Sequence, residues 1–343
     1  MAIQVNSKQC QGHIATAIRA GLVPFVKGSP GIGKSAIVRA IAEEYRLKLI
    51  DLRLAQCDPT DLNGFPSICP KSGRARYAPM DTFPLEGDPI PKGYNGWLLF
   101  LDEFNSAPRA VQAAAYKVVL DKATGGYKLH PNVAMVCAGN MDDDGAIVEE
   151  MSTALQSRLL HLMMVSDPEI FLDYASRAGF DHRITDYLRF RPGNVNTFNP
   201  EVTDAEPTYA CERTWDFTNR IIAQVEPTDP DALPLLAGTV SEGVAREFIG
   251  HTKIYDKLPS LAQMRSSPET IKVPDEPSIL YALTGAIAHN ASGDSVGDLM
   301  KFVNRLPVEF QVICLREMGR RQRELLHSQP VKDWIATNNT ELF

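Results

Sequence analysis

The stretch GSPGIGKS, residues 28–35, constrains the fold of this 343-residue sequence more than any other feature. It fits the pattern G-x-x-x-x-G-K-[S/T], whose glycines let backbone N–H groups surround a phosphate. The pattern is informative only between a strand and a helix. The preceding LVPFV (22–26) predicts a short buried strand, and the following SAIVRAIAEEYR (35–46) repeats apolar residues with helical spacing. The sequence therefore predicts a phosphate-binding loop in an α/β fold.

Four more short apolar runs predict further strands of the same sheet. They are LKLIDLRL (47–54), GWLLFLDE (96–103), NVAMVCAGN (132–140) and RLLHLMMV (158–165). A helix is predicted over residues 108–123. Continuously apolar strands that alternate with helices are typical of a parallel sheet covered on both faces. We therefore expect a P-loop core with a five-stranded parallel sheet flanked by helices.

The second half of the chain has a different pattern. Beyond Pro168 helical spacing dominates, which predicts an α/β nucleotide-binding core over 1–167 and a helical lid and C-terminal region over 168–343. Inside the core, residues 58–95 are rich in Pro and Gly and carry the basic run KSGRAR (71–76). A connector of that length is usually functional or disordered.

Composition limits the class of protein. Hydrophobic residues make up 44% and charged residues 22%, which is ordinary for a globular protein. No apolar run approaches the ~20 residues that span a bilayer, and no secretory signal is recognisable, so we expect a cytoplasmic protein with no membrane insertion. The formal net charge of −7 argues mildly against a dedicated nucleic-acid binder. The six cysteines are scattered without a CxxC, which favours reduced thiols over zinc ligands or disulfides.

Two acids end the apolar run WLLFLDE. Burying a strand that ends in Asp102 and Glu103 is costly unless the carboxylates have a use. Asp102 can hold Mg²⁺ through water, with Ser35 as a direct ligand, and Glu103 can orient and deprotonate an attacking water. The alternative is an acidic exit from a strand into a loop, which the upstream phosphate loop makes the weaker interpretation.

Asn140 and Arg158 are two further candidates. Asn140 ends an apolar strand, and strand carboxyl ends form the ligand edge of such sheets, where its amide could position water. It could equally be an ordinary turn residue. Arg158 precedes the last predicted strand. It could pair with a nearby acid, or reach a neighbouring subunit's nucleotide as an arginine finger.

Taken together, these segments resemble the AAA+ ATPases, and more narrowly their MoxR-like and dynein-related branch. The resemblance runs from about residue 21 to 290. It is carried by GSPGIGKSAIVR, LAQCDPTDLNGFP, YAPMDTFPLEGD, WLLFLDEFNSAPRAVQAAAYKVVLD, CAGN, MSTALQSRLL and RTWDFTNRI.

The resemblance implies roles for individual residues. ATP or ADP would be bound by Gly28, Ser29, Pro30, Gly31, Ile32, Gly33, Lys34, Ser35 and Ala36, and Mg²⁺ by Ser35 and Asp102. The catalytic set would be Lys34, Glu103, Asn140 as sensor 1, Arg158 as a finger acting in trans, and Arg213 as the second sensor. The family often has Pro before that arginine, whereas this chain has Glu212, whose charge could pair with Arg213.

The resemblance also implies partners. It predicts a homo-oligomer, commonly a hexameric ring, with residues about 58–95 and a hairpin at about 122–131 at the central pore. Such a ring would be an ATP-hydrolysing MoxR-like chaperone that remodels a protein client, in some cases beside a von Willebrand factor A domain partner, in a bacterial or phage-infected cytoplasm. The alternative is a nucleic-acid-dependent motor or restriction and defence subunit, with KSGRAR touching phosphates. We favour a solvated charged loop for that run.

Overall fold

The computed structural model describes residues 3–142, 144–145, 149, 151–201 and 207–338, without the side chains of 256 and 257. It divides into two compact units, Met1–Asp167 and Pro168–Phe343.

A parallel sheet forms the centre of the first unit. Its strands, in chain order, are β1 (Gln4–Val5), β2 (Val23–Lys27), β3 (Leu47–Arg53), β6 (Gly96–Asp102), β9 (Val133–Gly139) and β10 (Leu159–Met164). They lie side by side in the order β1-β10-β2-β9-β6-β3, and each neighbouring pair is parallel. The predicted fold class, a P-loop α/β core, is confirmed. The sheet has one strand more than the five expected, because the two-residue β1 pairs with the end of β10.

Both faces of the sheet are buried. In β6, Leu98 and Phe100 belong to one apolar cluster, and the alternate residues Leu99 and Leu101 belong to the other. This is the period-two alternation of a strand, with apolar residues on both sides. It explains why the central strands read as continuous apolar runs.

Helices cover these faces. They are α1 (Ser7–Arg19), α2 (Lys34–Glu44), the short α3 (Pro59–Asn63), α4 (Arg109–Asp121) and the short α5 (Thr153–Gln156). α1 and α2 contribute to the cluster that holds Phe100, and α4 contributes to the cluster that holds Leu101.

Two small antiparallel hairpins stand apart from the sheet. The first, β4 (Phe65–Ile68) with β5 (Ala75–Ala78), lies within 58–95. The second, β7 (Ala123–Thr124) with β8 (Tyr127–Lys128), lies within 122–131.

The second unit contains helices and no strand among its described residues. Its helices are α6 (Pro168–Arg177), α7 (His182–Phe190), α8 (Glu212–Ile222), α9 (Ala232–Val240), α10 (Glu242–Thr252), α11 (Leu261–Ser266), α12 (Pro277–Asn290), α13 (Val296–Val303), α14 (Val308–Arg321) and α15 (Gln329–Thr337). One apolar cluster joins α6–α10 and a second joins α11–α15. Across the part of the chain that is described, no helix combines the length and the apolar character needed to cross a membrane.

Candidate functional site

The phosphate-binding pattern lies where the sequence predicts it. Residues 28–33 connect the end of β2 to the start of α2. Gly31 and Gly33 have φ of 82° and 94°, a left-handed conformation that glycine adopts without strain. Because the residue that caps α2 is a glycine, the first N–H groups of the helix have no capping side chain at that position and can donate to an anion, which the helix dipole also favours.

At Gly28 the constraint is the space available to a side chain and not the backbone conformation. A Cβ on Gly28 would lie 2.7 Å from the carbonyl oxygen of Met164 in β10 and 2.5 Å from Cδ1 of Ile32. Ile32 is buried in the core beneath the loop and anchors it. The other predicted loop residues, Ser29, Pro30 and Ala36, are at least partly accessible to solvent.

Lys34 folds back over the loop. Its Nζ donates to the carbonyl oxygens of Gly28 and of Ser29, the latter at 3.0 Å, and to Oδ1 of Asn140 at 3.3 Å. A bound phosphate would offer the same ammonium group stronger, charged acceptors. The contact with Asn140 brings together residues from β2–α2 and from the end of β9.

Ser35 and Asp102, the two predicted Mg²⁺ ligands, are in direct contact. Ser35 Oγ donates to Asp102 Oδ2 at 3.0 Å. The donor set fits Mg²⁺, which is typically held by one or two oxygen ligands from the protein, while substrate phosphates and water supply the rest. No cluster of three or more His, Cys, Asp or Glu side chains suited to a metal occurs among the described residues.

Glu103 has a strained backbone. Its φ and ψ are 54° and 35°, a left-handed conformation that is uncommon outside glycine, and its N–H donates to Asp102 Oδ1 at 2.9 Å. Such strain costs on the order of 1–3 kcal/mol and clusters at functional sites.

Asn140 is held by a residue that the sequence analysis missed. The buried Asn105 donates from Nδ2 to the Asn140 carbonyl oxygen at 2.9 Å and accepts from the Asn140 N–H at 3.1 Å. The only local signal was an amide shortly after the acids of β6, which is too common a pattern to single out.

Two further acids border the loop, and they too were missed. Asp142 forms an ion pair with Lys27 at 2.9 Å, and Asp144 accepts from Ser29 Oγ at 3.2 Å. The run MDDDG directly after Asn140 was the available signal. Asp144 therefore contacts the loop directly at Ser29, and Asp142 contacts Lys27, the residue before the loop.

Arg158 directly precedes β10, so it lies at the amino-terminal end of the parallel strands, opposite to the phosphate loop. Leu159 pairs with Val23 at the start of β2, whereas the loop follows Lys27 at its end. Five residues at ~3.3 Å each place Arg158 ~16 Å from its own loop, beyond the reach of its side chain. The exposed guanidinium donates to the Ala154 carbonyl oxygen at 2.7 Å and lies 5.9 Å from the ring of Tyr116.

Arg213 is exposed in the first turn of α8. The neighbouring Glu212 accepts a hydrogen bond from Asn196 Nδ2 at 3.3 Å. The role expected for Arg213 towards a nucleotide stays a prediction.

Comparisons with solved structures found similar chains. A presumed ATPase from Cytophaga hutchinsonii is 15% identical over 98% of this chain and 89% of its own, with a TM-score of 0.39. The Thermotoga maritima RuvB Holliday junction branch migration motor is 13% identical over 82% of this chain and 80% of its own, with a TM-score of 0.38. Brucella abortus NtrX in complex with ADP is 14% identical over 98% of this chain and 68% of its own, also with a TM-score of 0.38.

No protein-family model matches the sequence, and no curated protein matches it. The similarity to the solved structures is too low to carry an argument about function. The assignment of the fold rests on the order of the strands and on the position of the phosphate loop.

Proposed function

We propose that this chain is a Mg²⁺-dependent ATPase of the AAA+ type that works as a ring and remodels a protein client. One observation carries the proposal. Side chains from three segments far apart in sequence meet at one edge of the sheet, where Lys34 contacts Asn140 and Ser35 contacts Asp102. A glycine-rich turn would not require these partners, whereas phosphoryl transfer does.

Each residue has a role in this proposal. The N–H groups of the loop and Lys34 bind the β- and γ-phosphates. Ser35 and Asp102 would hold Mg²⁺, which would supply positive charge beside those phosphates. Glu103 accepts a proton from the attacking water, and the Asn140 amide orients that water. The remaining charge on the transferred phosphoryl group needs a cation in addition to Lys34.

Arg158 supplies that cation from a neighbouring subunit. It lies too far from its own loop to act there. It is exposed at the amino-terminal end of the strands, where a second copy could dock. An interface between two different faces, repeated head to tail, closes into a ring when the rotation permits.

Exposed aromatic side chains on the two small hairpins favour a polypeptide as the client. Phe65, Tyr77 and Tyr127 are exposed on them, at 56%, 48% and 38% of their surfaces. The hairpins are neighbours, because a Cβ on Gly125 would lie 3.1 Å from the Cβ of Tyr77. Exposed aromatic side chains grouped in this way are suited to gripping a polypeptide.

Hydrolysis of Mg·ATP by the purified chain tests the ATPase proposal. We expect Lys34→Ala to weaken nucleotide binding at least tenfold, because it removes the charged contact to the phosphates. Glu103→Gln should bind ATP with wild-type affinity and hydrolyse it ~10²–10⁴-fold more slowly. Glu43→Gln, an exposed acid on α2, is the matched control. Normal turnover by Glu103→Gln would rule out the proposed base.

A nucleic-acid motor is the second candidate. The first hairpin region carries Lys71, Arg74 and Arg76 without an acid between residues 62 and 80, and aromatic side chains beside basic ones can stack on bases. Single-stranded DNA would then raise the ATPase rate, and the effect would fall steeply with salt. Reduced, carboxymethylated α-lactalbumin is the corresponding unfolded-protein probe. Stimulation by the protein and not by DNA supports the remodelling function.

A further inference from the structure

The Asn105 side chain bridges the ends of two strands. It lies in the turn that follows Glu103 and is 1% exposed. Its amide group pairs with both main-chain groups of Asn140, accepting from the N–H and donating to the carbonyl oxygen. Only a side chain with one donor and one acceptor in this planar arrangement can make both bonds.

The surroundings are built for this contact. A Cβ on Gly139 would lie 2.1 Å from Asn105 Oδ1, so any other residue at position 139 would displace the amide. The Asn105 carbonyl oxygen also accepts from the N–H of Glu149 at 2.7 Å. Asn105 therefore fixes Asn140 at the start of the segment after β9 and Glu149 farther along it.

These contacts determine where the Asn140 side chain can lie. Its Oδ1 is 3.3 Å from Lys34 Nζ, so a small shift of the Asn140 main chain would break that contact. Asn105 is also only two residues from Glu103. We propose, on the basis of the ATPase function proposed above, that Asn105 is a positioning residue that aligns the Asn140 amide with Lys34 and the Glu103 turn for hydrolysis.

Two substitutions test this role. Asn105→Ala removes both hydrogen bonds. Asn105→Asp keeps the size and the acceptor but places a carboxylate oxygen against the Asn140 carbonyl oxygen. We expect each to lower kcat ~10–100-fold, the usual effect of a small misplacement in an active site. The Kd for ATP should stay within about threefold of wild type, because the phosphate loop is untouched.

A double-mutant cycle distinguishes a role of Asn105 in positioning Asn140 from a role in the stability of the fold alone. If Asn105 acts through the Asn140 side chain, Asn105→Ala should change kcat less than about twofold in an Asn140→Ala background. Gln112→Ala is the matched control. The buried Gln112, in α4, donates to the carbonyl oxygen of Ala107, two residues after Asn105, at 3.0 Å. It should lower the unfolding temperature and leave kcat near wild type.

Three results would overturn the inference. They are a wild-type kcat in Asn105→Ala, equal losses of kcat with and without the Asn140 side chain, and a loss of kcat in Gln112→Ala as large as that in Asn105→Ala. If Asn105→Ala does not fold, the cycle is run with Asn105→Asp. A folded wild-type chain that binds Mg·ATP and never hydrolyses it would overturn the proposed function and this inference with it. An active wild type with any of the three results overturns the inference alone.

Discussion

Activity restored by mixing two inactive variants is the sharpest expectation from the position of Arg158. In the proposed mechanism, Lys34→Ala removes a subunit's own contact with the phosphates, and Arg158→Ala removes only the arginine that the subunit gives to a neighbour. Each variant alone should be nearly inactive. A ring that contains both should have some sites with an intact loop from one subunit and an intact arginine from the next.

The magnitude follows from the geometry. Arg158 is ~16 Å from its own loop, so its removal should leave nucleotide affinity unchanged and lower kcat by ~10³-fold or more, as the loss of an arginine finger does. The fold should tolerate the change, because the exposed side chain contacts the Ala154 carbonyl oxygen and the Tyr116 ring, and exposed contacts of this kind are worth ~0.5–1 kcal/mol. In an equimolar random ring, about one quarter of the head-to-tail interfaces combine the intact loop with the intact arginine.

The assay is steady-state ATP hydrolysis by each variant and by the mixture, at equal total concentration. Exchange of subunits is followed by energy transfer between labelled chains. Arg39→Ala is the control, since Arg39 is an exposed arginine of the same unit that pairs with Asp51 at 3.4 Å. We expect about a quarter of wild-type activity in the mixture if interfaces act independently. A mixture that stays inactive although subunits exchange, or an active Arg158→Ala alone, would refute the reasoning.

Two other predictions concern the loop and the stability of the second unit. Gly28→Ala should weaken ATP binding at least tenfold and lower the unfolding temperature, because the new Cβ would clash with the Met164 carbonyl oxygen. The control Gly12→Ala has open space at its Cβ and should do neither. A wild-type Kd for ATP in Gly28→Ala would show that the loop does not need this close approach. Burial lowers the pKa of His251 from 6.5 to about 4. As pH falls from 6.5 towards 4, His251 is therefore protonated in the unfolded chain but stays neutral in the folded chain. The folded state loses stability over this pH range. Between pH 7 and pH 5, the free energy of unfolding in urea should fall by about 2 kcal/mol less for His251→Phe than for the wild type. Equal decreases for the two proteins would contradict the lowered pKa of His251.

Much of the fold could be predicted from the sequence because its signals are local. The glycine pattern with its flanking strand and helix, the apolar strands and the polar residues at their ends all depend on near neighbours in the chain. The loop bounds and the strand bounds agree with those predictions to within one or two residues. In a parallel sheet the carboxyl ends share one edge, so the order of apolar runs and polar residues is enough to predict Asp102 and Asn140 near the loop.

Other features depend on which segments pack together. β1 has two residues and no pattern of its own, and it exists because β10 offers it a free edge. The ion pair of Lys27 with Asp142 joins residues 115 positions apart. In the second unit, Asp186 and Glu317 are buried together around Arg189, although helical periodicity alone would leave such residues at the surface.

The sequence by itself therefore determined the glycine-containing loop between β2 and α2, the sheet and the acids at the carboxyl ends of its strands, since backbone sterics and apolar spacing act over a few residues. Only the tertiary structure decided that Asn105 pairs with Asn140 and that Arg158 lies beside the ring of Tyr116. Both depend on how strands 35 or more residues apart align, and a hydrogen bond between two amides leaves no periodic trace in the chain.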